Sequence, residues 1–318
     1  MAENKVLAYL SFMRYSKILI FIPIFLLITD NKFSSFIKSI NKNYQKYIFT
    51  FWEPKEKIPG FLKLCIKTWK VYIPDYEIII LDYNLSKQYL GEELFSNIIC
   101  NNMSVMVQSD AIRVAMLYKY GGIWMDADTI ITNGEFMKYF KNYEFSMVNE
   151  KNISDFNYIA FIYSSKNSYV IKQWLDQIII RVKQFNETLL NKENATNITI
   201  WQNSWENVNS WFYLGNGIID FILRNVTGEK FLGIDKDEIN VFPELVYFKN
   251  TTYNVYQAYE YFYFRPGDPG FAINNTKGII FLHNSWTTLY YKNMTEEEFL
   301  HQDILLAKLF IKLLNLTM

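Results

Sequence analysis

Cysteine and histidine are nearly missing from this 318-residue chain: Cys65, Cys100, His283 and His301 are the only ones. Two cysteines build neither a disulfide framework nor a four-ligand zinc site. Two histidines exclude a multi-histidine metal centre. A bound metal must then rely mainly on oxygen ligands, which suit Mg²⁺, Mn²⁺ or Ca²⁺. Net charge is missing too, since 32 basic residues balance 32 acidic ones. Nucleic-acid binders usually carry a basic excess, so no nucleic-acid partner is expected. No internal repeat is visible, which sets aside the solenoid folds. An unbroken apolar run of spanning length is also lacking. Ile18 to Thr29 is almost wholly apolar, but it falls short of the roughly 20 residues that cross a bilayer, and Pro23 interrupts it. Lys5, Arg14 and Lys17 precede it. It reads equally as part of a signal anchor extended back over Ala8-Tyr9-Leu10, as a buried helix, or as an interfacial one.

What is present is apolar mass. Half the residues are hydrophobic and 18% are aromatic, enough for a sizeable core. Residues 1–46 are expected to form an apolar segment with a membrane association, and 47–318 one folded domain. The run Tyr47-Ile48-Phe49-Thr50-Phe51-Trp52 is a strand, broken by Glu53-Pro54. Phe61, Leu62, Cys65, Ile66 and Trp69 are spaced as one helix face. Tyr76 to Leu81 is a β-branched run of the kind that forms a buried strand. Strand, helix and strand in this order predict a βαβ unit and an α/β fold with a mostly parallel sheet. The next helix is expected to start at an Ser109 N-cap with Asp110 in its first turn, and to stop at Gly121-Gly122. Ile123-Trp124-Met125 then forms a short strand, and Glu144 to Val148 another. Tyr169 to Phe185 and Ile218 to Leu223 read as helical, with a polar surface insertion over 187–200. Gly278 to Leu282 is a buried strand. A final helix opens with a capping box at Thr295-Glu296-Glu297-Glu298 and runs to Leu313.

Three segments are polar where strands stop: Trp52-Glu53, Asp126-Ala127-Asp128 and His283-Asn284-Ser285-Trp286. Ligands of open α/β sheets bind beyond the carboxyl ends of the strands, so all three are candidates for one crevice. On an extended backbone Asp126 and Asp128 would share a side. Two carboxylates that close repel unless a cation lies between them, and a hard divalent ion holding a diphosphate meets that need. An Asp-x-Asp alone is a weak signal that often merely caps a turn. Asp110 and Arg113 lie three apart on one helix face, as a surface ion pair or as part of a site. Tyr213-Leu214-Gly215-Asn216-Gly217 reads as a substrate loop or, more simply, as a plain turn.

Taken together, Ser109-Asp110-Ala111-Ile112-Arg113 and Leu117-Tyr118-Lys119-Tyr120-Gly121-Gly122-Ile123-Trp124-Met125-Asp126-Ala127-Asp128-Thr129 resemble the signature of the DXD-type sugar-binding glycosyltransferases. Phe51-Trp52, Cys65 to Trp69, Pro74 to Glu77 and Leu81-Asp82 look closest to the bacterial capsular polysaccharide synthesis proteins of that group. The likeness is strong over 47–133 and weaker over 282–286; the stretch between carries no matching motif. It implies a GT-A fold with a Rossmann-like half. It also implies retaining, metal-dependent transfer of a hexose from a UDP- or GDP-sugar to a glycan or glycolipid acceptor, with Mn²⁺ or Mg²⁺. Trp52 resembles the aromatic that stacks on the nucleobase. Asp110 and Arg113 resemble the pair that grips sugar hydroxyls and diphosphate. Asp126 resembles the residue on ribose and sugar, and Asp128 the direct metal ligand. Asn284, Ser285 and Trp286 resemble the loop that closes on the diphosphate, with Ser285 near the metal. His283 reads equally as a metal ligand and as a satisfied histidine at a strand end.

Two rivals remain. A glycoside hydrolase needs carboxylates on opposite sides of a sugar ring, and Asp126 and Asp128 are too close in sequence for that. A non-catalytic sugar-binding protein would not need all of Asp110, Arg113, Asp126 and Asp128. The bacterial likeness points to the cytoplasmic face of a membrane. The chain's 11 Asn-x-Ser/Thr sequons point instead to an anchored lumenal protein.

Overall fold

The computed structural model describes residues 46–140, 143–150, 156–193, 212–225, 231–235, 255–275, 278–282 and 289–317. The segment 1–46, with Ile18 to Thr29, lies outside them except for Lys46, and so does His283-Asn284-Ser285-Trp286. Among the described residues no helix is long and apolar enough to cross a membrane. All of them belong to the compact unit Lys46–Met318.

The amino-terminal part is the expected βαβ unit. β1 (Tyr47–Phe51), α1 (Gly60–Tyr72) and β2 (Glu77–Leu81) follow in order, with β1 and β2 paired in parallel from Tyr47↔Glu77 to Phe51↔Leu81. Two short helices come next, α2 (Tyr83–Leu90) and α3 (Glu92–Ile98). Asp82 starts α2 by accepting the Leu85 amide at 2.6 Å, a cap that ends the strand and begins the helix at one residue.

α4 (Val105–Tyr120) begins one turn earlier than the sequence suggests. Ser104, not Ser109, is the N-cap, and its hydroxyl accepts the Val107 amide. Asp110 therefore lies in the second turn, away from the unpaired amides of the helix start. The helix ends as expected at Gly121, whose φ is 68°. Gly122 (φ 101°) then opens β3 (Gly122–Met125). A side chain there would meet the Tyr47 carbonyl oxygen at 2.7 Å, so only glycine lets β3 start beside β1.

After β4 (Thr129–Ile131) come β5 (Phe145–Glu150), β6 (Phe156–Ser164), α5 (Tyr169–Glu193), a π-turn at Phe212–Asn216, α6 (Gly217–Leu223) and β7 (Phe231–Asp235). α5 runs through part of the stretch expected to be a surface insertion. Next are α7 (Val255–Phe264), α8 (Pro269–Asn275) and β8 (Ile279–Phe281). The single C-terminal helix of the sequence reading is two, α9 (Glu296–Leu300) and α10 (Leu305–Leu313). The Thr295–Glu298 capping box is present. The break follows from a tertiary bond, the Leu305 amide donating to the Arg265 carbonyl at 2.8 Å.

The main sheet has the order β2-β1-β3-β6-β5-β7. β1 is parallel to β2 and β3, β5 is parallel to β7, and β6 runs antiparallel to both β3 and β5. Five strands thus point one way and β6 alone the other, so the sheet is α/β and mostly parallel, as expected. Both faces are covered. Ile48, Ile123, Met125 and Phe161 point into a core shared with α1, α7, α9 and α10. Phe49, Phe51, Trp124 and Ile162 point into a second core with α4, α5 and α6. Alternating residues of each strand feed alternate layers. β4 and β8 form a separate antiparallel ribbon at the end of β3.

Candidate functional site

Because β1, β2, β3, β5 and β7 share a direction, their carboxyl ends lie along one edge. Trp52-Glu53, Asp82, Asp126, Glu150 and Asp235 all sit at that edge. Trp52 is half-buried against the first core, and its amide extends the β1–β2 pairing by donating to the Leu81 carbonyl at 2.9 Å. Glu53 turns back to accept the Tyr83 amide at 2.9 Å.

The centre of the edge is Asp126. Its amide donates to the Ala160 carbonyl at 2.9 Å, which ends β3 against β6. The chain then turns at once, with the Thr129 amide donating to the Asp126 carbonyl at 3.0 Å. Asp126-Ala127-Asp128 is therefore a tight turn and not the extended run from which a shared side was argued. α1 holds the far end of this turn: the Trp69 indole donates to the Thr129 carbonyl at 2.7 Å, and the Thr68 hydroxyl accepts the Ile131 amide at 2.9 Å. Asp128 lies near the wholly buried Cys65. Burial first and the Asp128 charge second push the Cys65 thiol well above its ordinary range, so it stays protonated.

The first oxygen of Asp126 takes two donors, Arg113 at 2.8 Å and the Trp124 indole at 2.7 Å. Arg113 also lies 5.0 Å from the Trp124 ring centroid and 3.2 Å from Asp110. Arg113 thus bridges two carboxylates brought together from a helix and a strand end. Asp110 is 3% exposed and Arg113 4%. The surface-pair reading fails, because a surface pair would be wet and worth little. Burial lifts the Asp110 carboxyl to about 7; Arg113 opposes that rise and the nearby Asp126 charge adds to it. Among the described residues, Asp110 Oδ2 and Arg113 Nε have no hydrogen-bond partner. Buried polar atoms of that kind call for an explanation, and a ligand's hydroxyl or phosphate oxygen is one.

The segment the sequence could not place forms the wall beside Asp110. In the π-turn, Gly215 (φ −92°, ψ −117°) leaves the helical path. A Cβ there would come within 2.6 Å of Asp110 Oδ2 and 2.9 Å of Ile159 Cδ1. α5 tethers this turn: the Trp174 indole donates to the Leu214 carbonyl at 2.7 Å, and Arg181 donates to the Tyr213 carbonyl. Asn216 is buried, donates to the Asn157 carbonyl and leaves its own Oδ1 without a partner among the described residues. Sequence reasoning missed Trp124 as a site residue and left Gly215 and Asn216 open between a substrate loop and a plain turn. The one available signal was a polar residue between two glycines, which a plain turn also shows.

His283, Asn284, Ser285 and Trp286 lie outside the described residues. Their starting point does not: the Leu282 amide donates to the Asp128 carbonyl at 3.0 Å. The described residues hold no group of three or more His, Cys, Asp or Glu side chains suited to a metal.

The model of the family described as capsular polysaccharide synthesis protein matches residues 27–232. No curated protein matches the chain. Among solved structures it is similar to the PaToxG glycosyltransferase, at 18% identity over 60% of this chain and 77% of that one, with a TM-score of 0.36. It is similar also to a glycosyltransferase involved in glycosylation of the major capsid of PBCV-1, at 11% over 78% and 98%, TM-score 0.37. A third is the ligand-free glycosyltransferase domain from the YGT toxin, at 11% over 86% and 99%, TM-score 0.40. These structural likenesses are distant, and the family match carries the assignment. The chain belongs to the family of capsular polysaccharide synthesis proteins.

Proposed function

We propose that the edge around Asp126 transfers a hexose from a UDP- or GDP-sugar to a glycan or glycolipid acceptor, with retention of anomeric configuration and with a bound divalent ion, Mn²⁺ or Mg²⁺. The observation that carries the reading is the buried Asp110–Arg113–Asp126 bridge at the carboxyl edge of the parallel strands. A buried charged group is costly unless it is fully paired, and here polar atoms are left over for a ligand.

The residues present fit such an ion. One Asp126 oxygen is committed to Arg113 and Trp124, and the Asp128 carboxylate follows two residues later in the same turn. Mg²⁺ and Mn²⁺ need few protein ligands, because waters and substrate phosphates complete their oxygen shell. Asp128, with Asp126 beside it and Ser285 and His283 from the run after Leu282, would hold the ion. When bound, it neutralises the charge that grows on a departing nucleotide diphosphate.

The chain's own residues do the rest. Trp52 offers an aromatic face to the base. Asp110 Oδ2 accepts from a sugar hydroxyl, and the Arg113 guanidinium donates to diphosphate or sugar oxygens. Asp126 orients Arg113 and lies beside the ribose and sugar of the donor. Asn284, Ser285 and Trp286 close over the diphosphate. Among the described residues no further carboxylate is placed as a nucleophile, and the proposed attack comes from the face the diphosphate leaves. Screening UDP- and GDP-hexoses for metal-dependent release of nucleotide diphosphate tests this. Turnover of at least one donor is expected, and none with any donor would overturn the reading.

A further inference from the structure

A sugar-transfer site makes no use of the chain's 11 Asn-x-Ser/Thr sequons. Chance placement of its 31 asparagines and its 33 serines and threonines gives about three. Seven of the sequons fall among the described residues. Asn84, Asn102, Asn225, Asn274, Asn293 and Asn315 are exposed, Asn186 is half-buried, and none is buried. Among the described residues the two buried asparagines, Asn157 and Asn216, have no serine or threonine two residues on. A glycan on either would have to enter the core, so the fold and the sequon pattern agree.

Asn84 lies in the first turn of α2; the other five exposed residues lie in turns or at helix ends, which suits attachment locally. Asn102 precedes α4, Asn225 follows α6, Asn274 lies at the end of α8, Asn293 is in the turn before α9, and Asn315 follows α10. The Asn225 amide nitrogen donates to the Phe221 carbonyl at 3.0 Å. A glycosylated amide keeps one N–H, so that bond survives. Asn186 differs, because its side-chain oxygen accepts from the Cys100 thiol within the fold. The thiols point the same way. Cys65 and Cys100 are unpaired and buried, which leaves no exposed thiol for an oxidising lumen to attack.

We infer that the chain is N-glycosylated at Asn102, Asn225, Asn274, Asn293 and Asn315, and that this domain faces the lumen of a secretory compartment. The co-reactant is an oligosaccharide linked through a diphosphate to a polyprenyl lipid. The asparagine amide nitrogen bonds to the sugar's anomeric carbon, the carbon–oxygen bond to the diphosphate breaks, and the amide gives up one proton.

The test needs no transferase activity, so its outcome is separate from that of the donor screen. Full-length protein is purified from its own cells, digested, and treated with peptide N-glycosidase in ¹⁸O water. Each released site becomes an aspartate carrying heavy oxygen, read by mass spectrometry. Label at three or more of the five positions, with Asn157 and Asn216 unlabelled, is expected. Label at fewer than three overturns the inference.

Discussion

Arg113 and Asp126 meet at 2.8 Å across the junction between α4 and the end of β3, and the guanidinium reaches Asp110 with its other nitrogen. One cation thereby fixes two carboxylates that would otherwise repel. Removing it leaves the buried Asp110 facing the partly exposed Asp126 with no cation between them. Arg113→Ala should destabilise the fold by about 3–5 kcal/mol, the usual cost of breaking a buried pair from one side. Arg113→Lys keeps the charge but loses the planar fork, so it should fold while its kcat/KM for donor drops about a hundredfold. Equal kcat/KM for Lys and Arg at this position would contradict a bridging role.

Asp110 gives the site a pH signature. Its folded-state value, about 7, stands above the ordinary carboxylate range because burial outweighs Arg113. The folded protein then binds this proton more tightly than the unfolded chain does. Stability from this group is full below about pH 4 and is lost as pH rises toward 7. Urea midpoints should therefore fall across that window in the wild type more than in Asp110→Asn. In kinetics, the ionised carboxylate is the stronger acceptor for a sugar hydroxyl, so kcat/KM should rise through about pH 7. Parallel midpoint curves for the two proteins would show that Asp110 titrates normally.

Gly215 is where the backbone comes closest to Asp110. A methyl group there needs a shift of Asp110 Oδ2 or Ile159. Gly215→Ala should cost about 1–3 kcal/mol by overpacking and should raise the donor KM. In Asp110→Ala the obstructing oxygen is gone, so adding Gly215→Ala should cost clearly less there. Additive unfolding costs in this double-mutant cycle would show that the two sites are not in contact.

The parts of this architecture legible in the sequence were those fixed by local pattern. β1, α1 and β2 are legible as an aromatic-rich apolar run, a helical face and a β-branched run. The stop of α4 was written in Gly121-Gly122. What depended on distant partners was not legible. β6 is the lone reversed strand, and only its pairing with β3 and β5 defines it. Ser104 and Ser109 are both good caps, and the choice between them is settled by packing along α4. The break before Leu305 hangs on Arg265. In the site, Asp110, Arg113, Asp126 and Asp128 stood out because the resemblance named them. Their bridge through Trp124, and the approach of Gly215 from beyond α5, join segments that no local pattern connects.

Trp52 separates base binding from chemistry. Half-buried at the end of β1, it offers part of its ring to the edge. Trp52→Phe should retain partial activity. Trp52→Ala should raise the donor KM with kcat little changed, the sign of lost ground-state binding. A collapse of thermal stability in Trp52→Ala, with no folded protein left to assay, would assign the ring to the core instead.

The central claim is that a divalent ion held at Asp128 serves hexose transfer from a nucleotide donor. The most direct measurement is release of nucleotide diphosphate from the best UDP- or GDP-hexose by wild type and by Asp128→Asn, each with Mn²⁺ and with excess chelator. Losing one ligand removes several kcal/mol of charge stabilisation in the transition state. The wild type should turn over only with metal, and Asp128→Asn should lose at least about a thousandfold while unfolding at a similar temperature. Wild-type rates in Asp128→Asn, or an undiminished wild-type rate in chelator, would contradict the claim.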